Sequence, residues 1–413
     1  MKILFVSATL PPEGMATAGI IGNIMLEMKK RGIIVSGLTF KNHMNEPLVS
    51  KWNDISIYHA NYVREYGFSC QTVRDYFFKI SRKIYDWTHE ADFYPYRELA
   101  VKALVKSLKK IDADVNYDFI ISVAAFFDSV EAVARYKKSV TKEAEYVFYQ
   151  LDPLQENLAF KEISSSWLKD YEKSLYEQFN LVFTTREIYK MKVDKHWSLN
   201  NVVAVDYPCV NVCLSSRKSS IRKPEKEIRC VYAGLLNDCI RDASTVLEIL
   251  SLVKFPYITY YFIGEGQEEL LYRYSENKLK NRLHILGQMP ATNCEEWILS
   301  ADFLLIIGNN VDSQVPSKVF SYMSYGLPII ATYKTKNCSA NIYLNKIPNA
   351  LLIDETEKNV NLLATKIENF VAEYAGTRLE SQEIERYADV YTAKHVVDKF
   401  IRAFGIAKGN EVK

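Results

Sequence analysis

Short apolar runs alternate with amphipathic stretches from one end of this chain to the other, and that alternation limits its fold more than any other feature. Runs of roughly four to eight apolar residues separated by helical patterns are what a parallel sheet flanked by helices requires. In the first half the strand candidates are Lys2–Ser7, Ile34–Thr39, Ile55–His59, Phe119–Ala124, Tyr146–Tyr149, Leu181–Thr184 and Val202–Val205. Helical patterns lie between them, such as Ala18–Arg31, closed by Gly32 as a stop signal, and Trp167–Gln178. Residues 206–227 then turn polar, Ser-rich and basic, and read as a linker. After it the alternation restarts with Arg229–Ala233, Ile258–Ile263, Leu283–Leu286, Phe303–Ile307, Pro328–Ala331 and Leu351–Ile353. The pattern predicts an α/β chain with doubly wound domains over 1–205 and 228–380, followed by a charged helical tail over 381–413. Ligands in such open sheets bind outside the carboxyl ends of the strands, so function belongs in a cleft between the two halves.

Composition narrows the function classes. With 52 Lys and Arg against 50 Asp and Glu, the net charge of +2 leaves no global footprint for nucleic acid. A 48% hydrophobic share is enough to build real cores and excludes disorder. The longest apolar runs, Phe119–Phe127 and Phe303–Ile307, fall far below the ~20 residues a membrane span needs. Pro11, Pro12 and Glu13 follow the first apolar run where a signal peptide would stay apolar, so the reading is a cytoplasmic protein. The seven cysteines are odd in number and form no C-x-x-C, which suits free thiols in a reducing compartment rather than disulfides or a zinc site.

The segment from Gly308 to Ile330 carries the clearest chemistry. A buried strand ends at Ile307, a polar loop follows, and Pro316-Ser317 has the composition of a helix start. That helix is expected to run to about Tyr325 and stop at Gly326, with Pro328 opening the next strand. Lys318 sits in its first turn, where a cation opposes the helix dipole unless an anion is bound. The pattern therefore points to a phosphate site, against the plainer reading of a surface lysine on an ordinary strand-loop-helix.

Pro316-Ser317-Lys318-Val319-Phe320, then Tyr322-Met323 and Gly326-Leu327-Pro328-Ile329-Ile330, resembles the donor-binding motif of GT-B glycosyltransferases of the family 4 type. Other landmarks follow in the same order: Val231-Tyr232-Ala233-Gly234, Phe262-Ile263-Gly264-Glu265-Gly266, Ile285-Leu286-Gly287 and Ala301-Asp302-Phe303. The resemblance implies two Rossmann-like domains facing across a cleft, with a C-terminal helix crossing back to the first domain. It also implies retaining transfer of a sugar from a nucleotide-sugar, a UDP-sugar favoured, to a saccharide or lipid-linked acceptor in polysaccharide or glycoconjugate biosynthesis. No cofactor and no essential metal are expected, the nucleotide-sugar being the substrate.

The donor site implied by this likeness comprises Gly234, Arg241, Gly264, Glu265, Gln288, Met289, Ser313, Pro316, Ser317, Lys318 and Ser321. Arg241 takes the place of the basic residue that binds the diphosphate opposite Lys318, unless it merely pairs with Asp238 or Asp242. One departure stands out. Many members place two glutamates eight positions apart for the donor sugar and the ribose, and here those positions are Ser313 and Ser321.

On the acceptor side, Glu13 in the loop from Pro11 to Gly19 and Asp152 after the strand ending at Gln150 are the catalytic candidates. No paired His or carboxylate constellation stands out, which a retaining transfer tolerates because the leaving diphosphate can itself take the acceptor proton. Asp112-Ala113-Asp114 imitates a metal-binding D-x-D but lies in a polar, Lys-rich helix end. Residues 60–110 hold ten Lys and Arg against six acids, interleaved with Tyr76, Phe77, Phe78, Tyr85, Trp87, Phe93, Tyr94 and Tyr96. That mixture suits an anionic membrane surface, placing the protein peripherally at the inner membrane face, or equally a solvated helical cover. The rival functions are a non-catalytic GT-B scaffold, which the two serines would suit, and a sugar-nucleotide epimerase. A dehydrogenase is the least favoured reading, because no strand is followed by G-x-G-x-x-G with an acidic residue about 20 further on.

Overall fold

The computed structural model describes residues 1–13, 16–63, 80, 95–124, 126–141, 143–155, 163–193, 197–310, 315–335 and 338–407. The chain forms two compact units, Met1–Pro208 with Ala393–Lys413, and Cys209–Thr392.

The first unit is an eight-stranded sheet. Its strands are β1 Lys2–Val6, β2 Ile34–Lys41, β3 Val49–Trp52, β4 Ile55–Val63, β5 Phe119–Ala124, β6 Glu145–Gln150, β7 Leu181–Thr185 and β8 Val202–Val205, in the order β3-β4-β2-β1-β5-β6-β7-β8. Helices α1 Ala16–Lys30, α2 Glu98–Val115, α3 Phe127–Lys138 and α4 Ser165–Gln178 connect them. All six residues of β5 are buried, because a central parallel strand is covered on both faces and so reads as an apolar run, broken here only by Ser122, whose hydroxyl donates to the Val147 carbonyl at 3.3 Å.

Strand β3 was not expected. It pairs antiparallel with β4 through a two-residue loop, Asn53-Asp54, with φ of 47° and 58°. Positive φ at both loop residues is the hairpin geometry that matches strand twist, and Asn and Asp tolerate it. Four residues at a half-exposed sheet edge carry too little apolar pattern to announce a strand.

The second unit is a six-stranded, all-parallel sheet of β9 Ile228–Ala233, β10 Ile258–Ile263, β11 Leu283–Gly287, β12 Phe303–Ile306, β13 Ile329–Tyr333 and β14 Ala350–Asp354. Its helices are α5 Ser244–Leu252, α6 Glu268–Glu276, α7 Ala291–Leu299, α8 Lys318–Met323, α9 Ser339–Leu344, α10 Val360–Tyr374 and α11 Ser381–Ala388. The order β11-β10-β9-β12-β13-β14 is the 3-2-1-4-5-6 arrangement of a nucleotide-binding sheet. After β9 the chain turns one way and after β12 the other, which opens a crevice at the carboxyl ends of those two neighbours.

The polar segment read as a linker divides between the units. Asp206, 3% exposed, is held in the first by Arg186 at 2.5 Å and Lys399 at 2.6 Å. From Cys209 onward the segment is attached to the second unit, through Arg217 to Glu295 at 2.8 Å and Lys223 to Asp302 at 2.6 Å. The tail is likewise two helices. α11 belongs to the second unit, and α12, Ala393–Ala407, lies in the first. There the Phe400 ring stacks on Phe183 at 3.8 Å and Phe404 packs on Phe119 at 4.1 Å. Among the described residues, no helix is long and apolar enough to cross a membrane. Of the aromatics in the 60–110 segment, those in 64–79 and 81–94 lie outside the described residues, while Tyr96 is half-buried with the Arg135 guanidinium 5.4 Å from its ring centroid; α2 exposes Lys102, Lys106, Lys109 and Lys110.

Candidate functional site

A cavity of about 260 Å³ opens at the carboxyl ends of β9, β10 and β11. Gly234, Gly264, Glu265 and Gln288 line it together with Tyr232 and Tyr272, whereas Met289, next in the chain, does not. Two glycines make it possible. Gly264 has φ of +126° and Gly266 of +96°, and a Cβ at these positions would sit 2.1 Å from the Gly234 carbonyl oxygen and 1.9 Å from that of Leu236. The β9 and β10 loops thus meet backbone to backbone, fixed by the Leu236 N–H donating to the Glu265 carbonyl at 2.8 Å. No side chain fits between them, and the left-handed backbone would strain one regardless.

Arg241 stands at the rim of this cavity. A Cβ on Gly234 would lie 3.5 Å from its Nη1. Its guanidinium donates to the Asn309 side-chain oxygen from Nε at 3.1 Å and Nη2 at 2.7 Å, and weakly to the Leu235 carbonyl at 3.4 Å. Among the described residues it meets no carboxylate. Asp242, the expected neighbour, instead accepts from the Ser244 hydroxyl at 2.6 Å and from Gln267 at 2.8 Å, and Asp238 accepts from Gln267 at 2.5 Å. Gln267, which the sequence did not single out, also accepts from the Ala243 N–H at 2.9 Å and so ties the Arg241 loop to the cavity turn.

Lys318 opens α8 across the crevice. It is half-buried, its ammonium lies 5.8 Å from the Tyr322 ring centroid, and among the described residues it has neither hydrogen bond nor ion pair. Burial lowers its pKa from the ordinary 10.5 and repulsion from Arg241 adds to the fall, while the Cys294 and Cys209 thiols oppose it. Among the described residues, then, neither of these two cations is ion-paired to a carboxylate.

Tyr322 fixes the geometry between them. The β9–β12 ladder ends at Val231 and Leu304, and beyond it the Ala233 N–H donates to the buried Tyr322 hydroxyl at 3.0 Å. The helix carrying Lys318 is thereby anchored to the strand end that precedes Gly234. Pro316 is buried and its carbonyl accepts the Val319 N–H at 2.9 Å; Ser317 caps α8 without a side-chain bond. Ser321 follows Lys318 on α8 and donates its N–H to the Ser317 carbonyl at 3.0 Å. The helix is shorter than its sequence pattern, ending at Met323, with Gly326 at φ of +66° in the turn before β13. Ser313 lies outside the described residues.

The acceptor-side candidates are placed on the first sheet. Glu13 is half-buried in the turn after β1, and Asp152 is exposed just past the end of β6; β5 separates these two strands. Buried side chains that the sequence did not reveal fix the Asp152 loop. Glu172, fully buried, accepts from Lys192 at 2.8 Å, from Gln150 at 2.6 Å and from the Leu154 N–H at 3.0 Å. Asp112 of the D-x-D look-alike is buried and accepts from the Tyr117 N–H at 2.9 Å and the Tyr136 hydroxyl at 2.7 Å, which makes it a helix-end anchor. Among the described residues, no three His, Cys, Asp or Glu side chains gather as a metal would need.

Solved structures with the same architecture span the whole chain. Sucrose-phosphate synthase from Thermosynechococcus elongatus matches with a TM-score of 0.68 at 13% identity, covering 99% of each chain. The catalytic domain of Starch Synthase IV from Arabidopsis thaliana, bound to ADP and acarbose, matches at 0.62 and 10% identity, again over 99% of both. The fold is GT-B. GT-B chains are not all transferases: a UDP-N-acetylglucosamine 2-epimerase matches at 0.58 and 10% identity, over 99% of this chain and 97% of that one. No family model and no curated protein matches the sequence.

Proposed function

We propose that this GT-B chain is a glycosyltransferase that moves a sugar from a nucleotide-sugar, a UDP-sugar favoured, to a saccharide or lipid-linked saccharide in polysaccharide or glycoconjugate biosynthesis. The observation that carries the reading is the pair Arg241 and Lys318, two cations with no ion-pair partner among the described residues, beside a glycine-walled cavity at the switch point of the sheet. Two unpaired, partly desolvated cations are costly to hold together unless an anion completes them. A nucleoside diphosphate fits that charge and place, with its base and ribose in the cavity and its phosphates between the cations. The ADP-bound starch synthase of the same fold supports it.

The chemistry follows from electrostatics. As the bond from sugar to diphosphate breaks, charge develops on the leaving oxygen, and Arg241 and Lys318 would stabilise it. The acceptor proton passes to that diphosphate, so retention needs no separate base, and Glu13 and Asp152 would hold the acceptor. The exposed lysines of α2 support a peripheral contact of the first unit with anionic lipid; flotation with phosphatidylserine vesicles tests this, and binding no stronger than to neutral vesicles removes it.

The function is tested by calorimetry with UDP, GDP and ADP, and by release of nucleoside diphosphate from sugar nucleotides across a panel of acceptors. Neither binding nor turnover would sink the proposal. Binding without turnover would favour a non-catalytic GT-B subunit, a reading that Ser321 and Ser313 in place of the usual glutamates support. Inversion of the sugar seen by NMR would make it an epimerase, as the likeness to the 2-epimerase structure permits.

A further inference from the structure

Arg241 is carried by a loop, and a long side chain on a loop does not hold its head group in one place unless something else does. The end of β12 supplies that support. A Cβ on Gly308 would lie 2.5 Å from the Thr332 carbonyl oxygen, so β12 runs against β13 as only glycine allows, and the next two residues turn into the Arg241 loop. Asn310 grips the backbone of that loop. Its N–H donates to the Ile240 carbonyl at 2.7 Å, and its side-chain amide donates to the carbonyls of Asp238 at 3.1 Å and Cys239 at 3.0 Å. Asn309, 7% exposed, accepts from the Nε and Nη2 edge of the guanidinium.

The choice of acceptor matters. A carboxylate would orient the guanidinium equally well and bind it more strongly, but it would cancel the charge. An amide oxygen gives direction and leaves the charge intact. A guanidinium has five N–H donors. One edge faces Asn309, and Nη1 meets the Leu235 carbonyl at 3.4 Å and the Tyr232 hydroxyl; among the described residues this still leaves the second Nη2 N–H for a ligand.

We propose that Asn309 is a positioning residue, holding the Arg241 guanidinium for a phosphate-bearing ligand without neutralising it. This rests on the nucleotide reading above and adds to it a cause for the affinity. The experiment measures, by calorimetry, binding of UDP, GDP or ADP, whichever binds the wild-type protein most tightly, and of the matching nucleoside by competition. The proteins are wild type, Asn309→Ala, Asn309→Asp, Arg241→Met and the double variant Asn309→Asp/Arg241→Met.

Asn309→Asp is expected to weaken the diphosphate by at least about tenfold through a new ion pair with Arg241. Asn309→Ala should weaken it less, and the nucleoside should bind all five proteins alike. The Asp effect should vanish in the Arg241→Met background, which a merely structural role would not produce. Diphosphate affinity within twofold of wild type in Asn309→Asp overturns the positioning role alone. Equal losses for nucleoside and diphosphate, or an Asp effect that persists without Arg241, also overturn it. A wild-type protein that binds none of the nucleotides overturns the nucleotide reading and the positioning role together.

Discussion

Lys318→Met separates what the buried ammonium does for the ligand from what it does to the fold. Methionine keeps an unbranched stem over Tyr322 and removes only the charge. Because Lys318 has no acceptor among the described residues and is half-buried, its bond to a diphosphate oxygen would replace no existing hydrogen bond or ion pair there. A charge-assisted hydrogen bond of this kind contributes about 1.5–3 kcal/mol, so the variant should bind the diphosphate about 10- to 150-fold more weakly, with Arg241 retaining the rest.

The unliganded protein should respond in the opposite direction. Burial and then Arg241 lower the Lys318 pKa, so between that value and 10.5 the folded state binds fewer protons than the unfolded one. Stability then rises with pH, and the protonated ammonium is a cost at neutral pH. The variant should therefore melt higher without ligand and show a smaller nucleotide-induced rise in melting temperature. Calorimetry and thermal melts at pH 7 check both. An affinity within twofold of wild type, or a lower unliganded melting temperature, would refute the reasoning.

Three other changes test the frame around the site. Gly264→Ala should destabilise the second unit by about 3 kcal/mol or more in urea unfolding, since its Cβ would meet the Gly234 carbonyl oxygen at 2.1 Å in a left-handed backbone. Burial raises the pKa of Asp206, but its bonds from Arg186 and Lys399 outweigh that and hold it below 3.8. Its stabilisation is thus present above 3.8 and lost as pH falls through the folded value, so Lys399→Met should lower the melting temperature at pH 7 and converge with wild type in acid. Burial, with Asp242 and Asp354 adding, raises the Glu355 carboxyl above 4.5 against the pull of Thr332 and Lys334. Stability then falls as pH rises past 4.5, and Glu355→Gln should melt higher at neutral pH and remove that slope.

Much of the scaffold was legible because parallel strands leave an unmistakable trace. Phe303–Ile306 is an unbroken apolar run, and Phe119–Ala124 is one interrupted only by Ser122, because helices cover both faces of their sheets. The edge hairpin escaped because its one signal, Asn53-Asp54, depends on both residues taking positive φ, which composition alone leaves open. At the site, Gly264 and Lys318 were readable from local chemistry, a turn and a helix start. Asn309 and Tyr322 were not, since each acts on a group far away in sequence: 68 residues to Arg241 in one case and 89 to Ala233 in the other. An Asn after a strand reads as a turn residue, and a Tyr on an apolar helix face reads as core.

By itself, then, the sequence determined two helix-covered parallel sheets and marked Arg241 and Lys318 as cations near strand ends, because burial periodicity and turn chemistry are local properties. Only the tertiary structure decided that these two cations share one crevice and that, among the described residues, neither is ion-paired. The reason is strand order: β9 and β12 are neighbours although two strands and their helices separate them in the chain, and where their connections diverge, the loops bearing Arg241, Asn309 and Lys318 converge.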